Sequence, residues 1–181
     1  MKSKRRLVNS LTGSATLQAV LVMSFAAIPT SITMGADVYW DGSDSNAWAT
    51  GTNWVTNAAP GAADKAFINN IAVNTPAVTA DTTISELLVG FAGTTGAVDI
   101  NAGTVTVNAW AVIGNGNAGS GTLNLSGSGS LNKTNSNASS NFFIGEGSGS
   151  TGVVNINTTG SFTSAREVVV GYNSGKGTLM I

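Results

Sequence analysis

Four apolar runs in the second half of the chain each close on a glycine: LLVG at Gly90, AVIG at Gly114, FFIG at Gly145 and VVVG at Gly171. Six or seven residues later a second glycine opens the pattern G-x-[VL]-x-[IL]. It reads Gly96-Ala-Val-Asp-Ile100, Gly121-Thr-Leu-Asn-Leu125, Gly152-Val-Val-Asn-Ile156 and Gly177-Thr-Leu-Met-Ile181. Apolar residues two apart share one face of a strand. After a small turn comes a third short stretch, at Ala102–Val107, Gly127–Leu131 and Gly160–Thr163. The closing glycines lie 24, 31 and 26 residues apart, with no helical 3.6 period between them. One such unit cannot bury its apolar face alone. Stacked units bury like residues on like in one continuous core.

The pattern predicts an all-β chain in which each unit is one coil of a right-handed parallel β-helix, a β-solenoid. Adjacent coils would lie about 4.8 Å apart. Glycine at the corners permits positive φ and close backbone approach. One inward column is expected at Val98, Leu123, Val154 and Leu179, a second at Ile100, Leu125, Ile156 and Ile181. Asn124 and Asn155 fall at equivalent positions, where side-chain amides can stack as a ladder. The alternative is an antiparallel β-sandwich, which the uneven unit spacing permits.

Composition narrows the function. The chain has neither Cys nor His, so disulfides, thiol nucleophiles, zinc–thiolate sites and every Ser-His-Asp or Cys-His arrangement are excluded. Charged residues are 9% of the chain, against about 25% in an ordinary soluble domain. Hydrophobic residues are 42%, enough for a core, so simple disorder is excluded too.

The few charges are unevenly placed. Lys2, Lys4, Arg5 and Arg6 precede an uncharged stretch from Leu7 to Ala36, within which Leu17–Ile28 is almost continuously apolar. Met34-Gly35-Ala36 then leads to Asp37. This is the layout of a secretory signal peptide over 1–36, and its apolar core is shorter than the roughly 20 residues of a permanent span. Beyond it the chain holds four basic residues (Lys65, Lys133, Arg166, Lys176) and nine acidic ones, a net charge of −5. With no basic patch, nucleic acid and anionic lipid are not expected partners. Export without Cys suits a bacterial surface protein better than a small disulfide-stapled one.

Residues 37–85 carry three of the four Trp (Trp40, Trp48, Trp54) and read as an N-terminal cap with first coils; 86–181 are the repeats. The repeats resemble the Gly-rich units of autotransporter-type (type V secretion) passengers and of exported PEP-CTERM proteins. The resemblance rests on Ile113-Gly114, Gly121-Thr-Leu-Asn-Leu125 and Ser126-Gly-Ser-Gly-Ser-Leu131. The opening Tyr39-Trp-Asp-Gly42, Asn53-Trp54, Pro60-Gly61 and Asp64-Lys-Ala-Phe-Ile68 also resembles the start of such passengers. It implies secretion, a β-helix and no catalytic residue. Because the last repeat stops at Ile181 in its second strand, a truncated chain is expected, prone to self-association through an open C-terminal edge.

The sharper motifs weaken in context. Gly114-Asn-Gly116-Asn-Ala-Gly119 matches G-x-G-x-x-G, but a strand follows it rather than the helix a dinucleotide site needs. Asp37, Asp41 and Asp44 could supply carboxylates to a calcium ion, but the reading favoured is solvated loop residues, and the nonapeptide Gly-Gly-x-Gly-x-Asp calcium repeat is absent. Asp99, Glu146, Arg166 and Glu167 are the repeat residues a carbohydrate-active enzyme would draw on, and they are scattered over three units. The Trp residues read as a cap over the first coil or as a platform for sugar rings. No catalytic, cofactor-binding or metal-ligating residue is assigned, and no cofactor. The expectation is a non-enzymatic, secreted or outer-membrane-associated stalk or adhesin-like passenger. Its partner would be an extracellular or host-surface polysaccharide or protein. The alternative is a fragment of a polysaccharide lyase or hydrolase whose catalytic part lies elsewhere.

Overall fold

The structure is a computed structural model that describes residues 35–69, 74–137 and 139–181. The signal segment expected over 1–36 lies outside these residues except for its last two. Among the described residues no helix is long and apolar enough to cross a membrane.

Strands β1 (Asp37–Tyr39), β2 (Lys65–Ile68), β3 (Ala77–Val78) and β4 (Thr82–Ile84) come first. Three strands per unit follow: β5 (Glu86–Phe91), β6 (Thr95–Ile100) and β7 (Thr104–Val107); β8 (Ala111–Asn115), β9 (Ser120–Gly127) and β10 (Ser130–Lys133). Then come β11 (Phe142–Glu146), β12 (Thr151–Thr158) and β13 (Phe162–Ser164), and finally β14 (Val168–Tyr172) and β15 (Lys176–Met180). From β5 onward each strand enters a different sheet from the one before, and every third strand returns to the same sheet. The first sheet runs β1-β2-β5-β8-β11-β14, the second β3-β6-β9-β12-β15, the third β4-β7-β10-β13. All of these ladders are parallel, so the antiparallel sandwich is not the architecture.

Register follows the repeat. Gly96, Gly121, Gly152 and Gly177 pair in one line across the second sheet, and Val98, Leu123, Val154 and Leu179 in another. Ile100, Leu125 and Ile156 form the next column, headed by Val78. Ile181 does not extend that column: it follows β15 and is 95% exposed. The glycines are demanded by geometry. Gly114 has φ of +73°, and a Cβ there would fall on the Thr151 carbonyl of the next unit. Gly152 has no such φ, but a Cβ on it would meet the Ile113 carbonyl. The uneven spacing has a local cause. Three residues join β7 to β8 and β13 to β14, whereas eight, 134–141, join β10 to β11.

The main core runs through all three sheets, from Val38 and Ile68 to Ile144 and Val154. The first sheet is apolar on both faces. Leu87 and Val89 join the main core while Leu88 between them joins a second cluster with Phe67, Val112 and Phe143. Fully burying each Leu, Val or Ile contributes roughly 1.5–3 kcal/mol.

Candidate functional site

The N-terminal segment 40–64 is irregular apart from one 3-10 turn, Gly51–Asn53. It lies along two sheet edges. Residues 53–55 run antiparallel to β1, with Trp40 bridged to Trp54 and Val55 N–H donating to the Tyr39 carbonyl at 3.0 Å. Residues 46–48 run beside β3, where Ala77 N–H donates to Asn46 and Trp48 N–H to Ala77, at 2.7 and 3.1 Å. Unpaired strand edges invite association with other chains, and these two are occupied.

Three buried indoles hold the segment down. Trp54 sits edge-on to Trp40 and Trp48, ring centres 5.0 and 4.7 Å away. Its Nε1 donates to the Trp48 carbonyl at 2.8 Å, and Trp40 Nε1 to the Asn74 carbonyl at 2.7 Å. Asn53, fully buried, satisfies its whole amide: Oδ1 accepts from the Asp44 and Ser45 amides, and Nδ2 donates to Ser45 Oγ and the Ala47 carbonyl. Trp40 and Trp54 therefore belong to the core and present no ring face as a sugar platform. Trp48 is buried in the same core, but unlike the other two its Nε1–H has no acceptor, and it lines a cavity of about 180 Å³. The cavity lies between Ala47–Ala49 and the corner from Ala77 to Thr82, at the start of the third sheet.

The acidic candidates are not gathered. Asp37 lies 3.9 Å from Lys65 Nζ, Asp41 Oδ1 accepts the Ser43 amide, and Asp44 Oδ2 accepts from Thr52 Oγ1. Among the described residues no three metal-ligating side chains come together. Asp99 stands in the second sheet and Glu146 in the first, each accepting an asparagine amide from a neighbouring strand at 2.7 Å. Arg166 and Glu167 occupy the short connection from β13 to β14. The G-x-G-x-x-G residues span the end of β8 and the turn to β9, with positive φ at Gly114, Gly116, Asn117 and Ala118.

The most unusual charge is one that sequence reasoning counted but did not single out. Lys133 is 0% exposed and occupies an inward column of the third sheet, after Ile84 and Val107 and before Ser164. Nζ donates to the Asn135 carbonyl at 2.8 Å and to Ser140 Oγ at 2.9 Å, both in the eight-residue connection. Ser140 Oγ in turn donates to the Ala109 carbonyl at 3.0 Å. Neither partner is a carboxylate. Burial lowers the Lys133 pKa, and the positive charge of Arg166 lowers it further.

The geometry defines an all-β chain of three parallel sheets with a tryptophan-locked N-terminal segment. Compared with known proteins, the chain matches no family model, no curated protein and no solved structure.

Proposed function

We propose that residues 37–181 form a right-handed parallel β-helix that works outside the cell as a structural stalk or adhesin-like passenger, without catalysis. The observation that carries this reading is the return of every third strand to the same sheet, with glycine over glycine and branched residue over branched residue. Stacked coils of this kind make a rod from local contacts alone, and its length scales with repeat number. The low charge and the Ser, Thr and Asn rows on the outer faces suit an inert shaft. The charge-free stretch behind Lys2–Arg6 supports export, and the resemblance to type V passengers supports surface display.

The test is to express the chain from Met1 in a Gram-negative host and determine the first residue of the product by mass spectrometry. Export predicts a product beginning at or near Asp37, outside the cytoplasm. A full-length product retained in the cytoplasm contradicts the reading.

A further inference from the structure

We propose that export cuts the chain between Gly35 and Ala36, and that the α-ammonium this creates on Ala36 pairs with Asp64 and fastens the first strand to its neighbour. This rests on the export reading and names the bond that export breaks. Hydrolysis of that bond by a signal peptidase consumes one water. It leaves a carboxylate on Gly35 and, on Ala36, an amine that is largely protonated at neutral pH.

Ala36 belongs to the fold. It extends the pairing of β1 with β2 by one residue: its carbonyl accepts the Lys65 amide and its own N–H donates to Asp64 Oδ1, both at 2.8 Å. A cut after Ala36 removes both bonds and takes from the Lys65 N–H its acceptor. A cut before Ala36 keeps both and turns the donor to Asp64 into a cation, which strengthens that bond. Asp64 is itself held in place. Its Oδ2 accepts the Gly61 amide at 2.9 Å, its N–H donates to the Gly61 carbonyl at 2.9 Å, and its carbonyl accepts the Ser85 amide at 2.8 Å. The other charges beside it face one another, with Lys65 Nζ 3.9 Å from both Asp37 Oδ1 and Glu86 Oε1.

The sequence selects the same bond independently. Signal cleavage takes small side chains one and three residues before the cut and leaves the residue between them free. A cut before Ala36 puts Gly35 and Thr33 at those positions, whereas a cut after Ala36 puts Met34 at the third. Gly35 also packs so closely on the Ala63 carbonyl that a Cβ there would clash, so the bond has to be cut before this edge folds.

The experiment expresses the full chain from Met1 in a Gram-negative host and reads the first residue of the exported product by mass spectrometry, for the natural sequence, Thr33→Tyr and Met34→Tyr. The natural product should begin at Ala36. Thr33→Tyr should lower its yield about tenfold, and Met34→Tyr, at the free position, should not. A cut after Ala36 gives the opposite pattern. In the purified product the Ala36 α-amine, followed by NMR, should titrate above its ordinary range of about 7.7–8.0, and Asp64→Asn should return it there. Should Asp64→Asn not fold, added salt should move that titration toward the ordinary range by screening the pair. An exported product that begins at Asp37 or keeps Gly35 overturns the proposal. So does a yield that Thr33→Tyr leaves unchanged or Met34→Tyr lowers as much, or an α-amine that titrates at or below its ordinary range. A full-length product held in the cytoplasm instead overturns the export reading on which the proposal rests.

Discussion

Asn124 donates from Nδ2 to Asp99 Oδ1 at 2.7 Å, and its own Oδ1 accepts from Asn155 Nδ2 at the same distance. The ladder therefore has a direction. It starts on a residue that when ionised only accepts, and each amide above passes a donor downward. It ends on Asn155 Oδ1, which is buried and has no partner, because the next position in register is Met180.

Met180 is half exposed, so replacing it removes little from the core. Met180→Asn places a donor over Asn155 Oδ1 and should stabilise the chain by about 0.5–1.5 kcal/mol. Thermal melting checks it: Tm rises for Met180→Asn and not for Met180→Ala.

The inward and outward faces of β9 differ sharply. Leu125 is buried while Thr122 is half-buried on the opposite face. Leu125→Asp puts an unpaired carboxylate into the core among neighbouring parallel strands and should cost roughly 3–5 kcal/mol, whereas Thr122→Asp should cost less than about 1 kcal/mol. Urea unfolding of both variants measures the difference, and equal costs would refute the register.

The repeat glycines, the asparagine ladder and the apolar columns, except for Ile181, were legible in the sequence because each is a spacing repeated several times along one line of register. What was not legible depends on contacts between segments that share no repeat. Asn53 reads as one polar residue beside a Trp, yet its amide organises the Asp44–Ala47 loop. Lys133 is only one of four basic residues in the count until the long 134–141 connection, itself visible only as a 31-residue spacing, supplies its two acceptors. Leu88, Val112 and Phe143 stand inside continuous apolar runs that carry no alternation, and only the fold shows that the first sheet buries apolar side chains on both faces. The Trp48 cavity exists only because residues 46–48 lie beside β3.

Lys133 gives stability a pH dependence. Its folded pKa is lowered from an unfolded value near 10.5, so at low pH the folded state carries a buried ammonium at a cost. As pH rises from the lowered folded value toward 10.5, the folded state releases that proton while the unfolded state still holds its own, and stability increases. Lys133→Met should abolish this rise and stabilise the chain at neutral pH by about 1 kcal/mol. Denaturation midpoints across that pH range check both. A chain whose stability falls with pH there, in a manner Lys133→Met removes, would contradict the assignment.

Among the described residues the outer edges of β13, β14 and β15 carry no partner strand, and Val170, Tyr172 and Met180 beside them are exposed. Such edges pair with other chains. Sedimentation velocity of residues 37–181 should show concentration-dependent oligomers, which Val170→Lys reduces. A monodisperse monomer at every concentration would show that these edges are blocked.

The central claim is that successive units stack in parallel and in register, and the absence of any native cysteine allows a direct test. Thr122 and Val153 are paired neighbours in β9 and β12, so their Cα atoms lie about 5 Å apart, within disulfide range. Thr122 and Asn155 are offset by two positions, about 8 Å, beyond it. The measurement is the rate of disulfide formation under mild oxidation in the two double variants, Thr122→Cys with Val153→Cys and Thr122→Cys with Asn155→Cys. Stacked coils predict rapid, near-complete crosslinking of the first and little of the second; equal crosslinking of both, or none of the first, would contradict the stack.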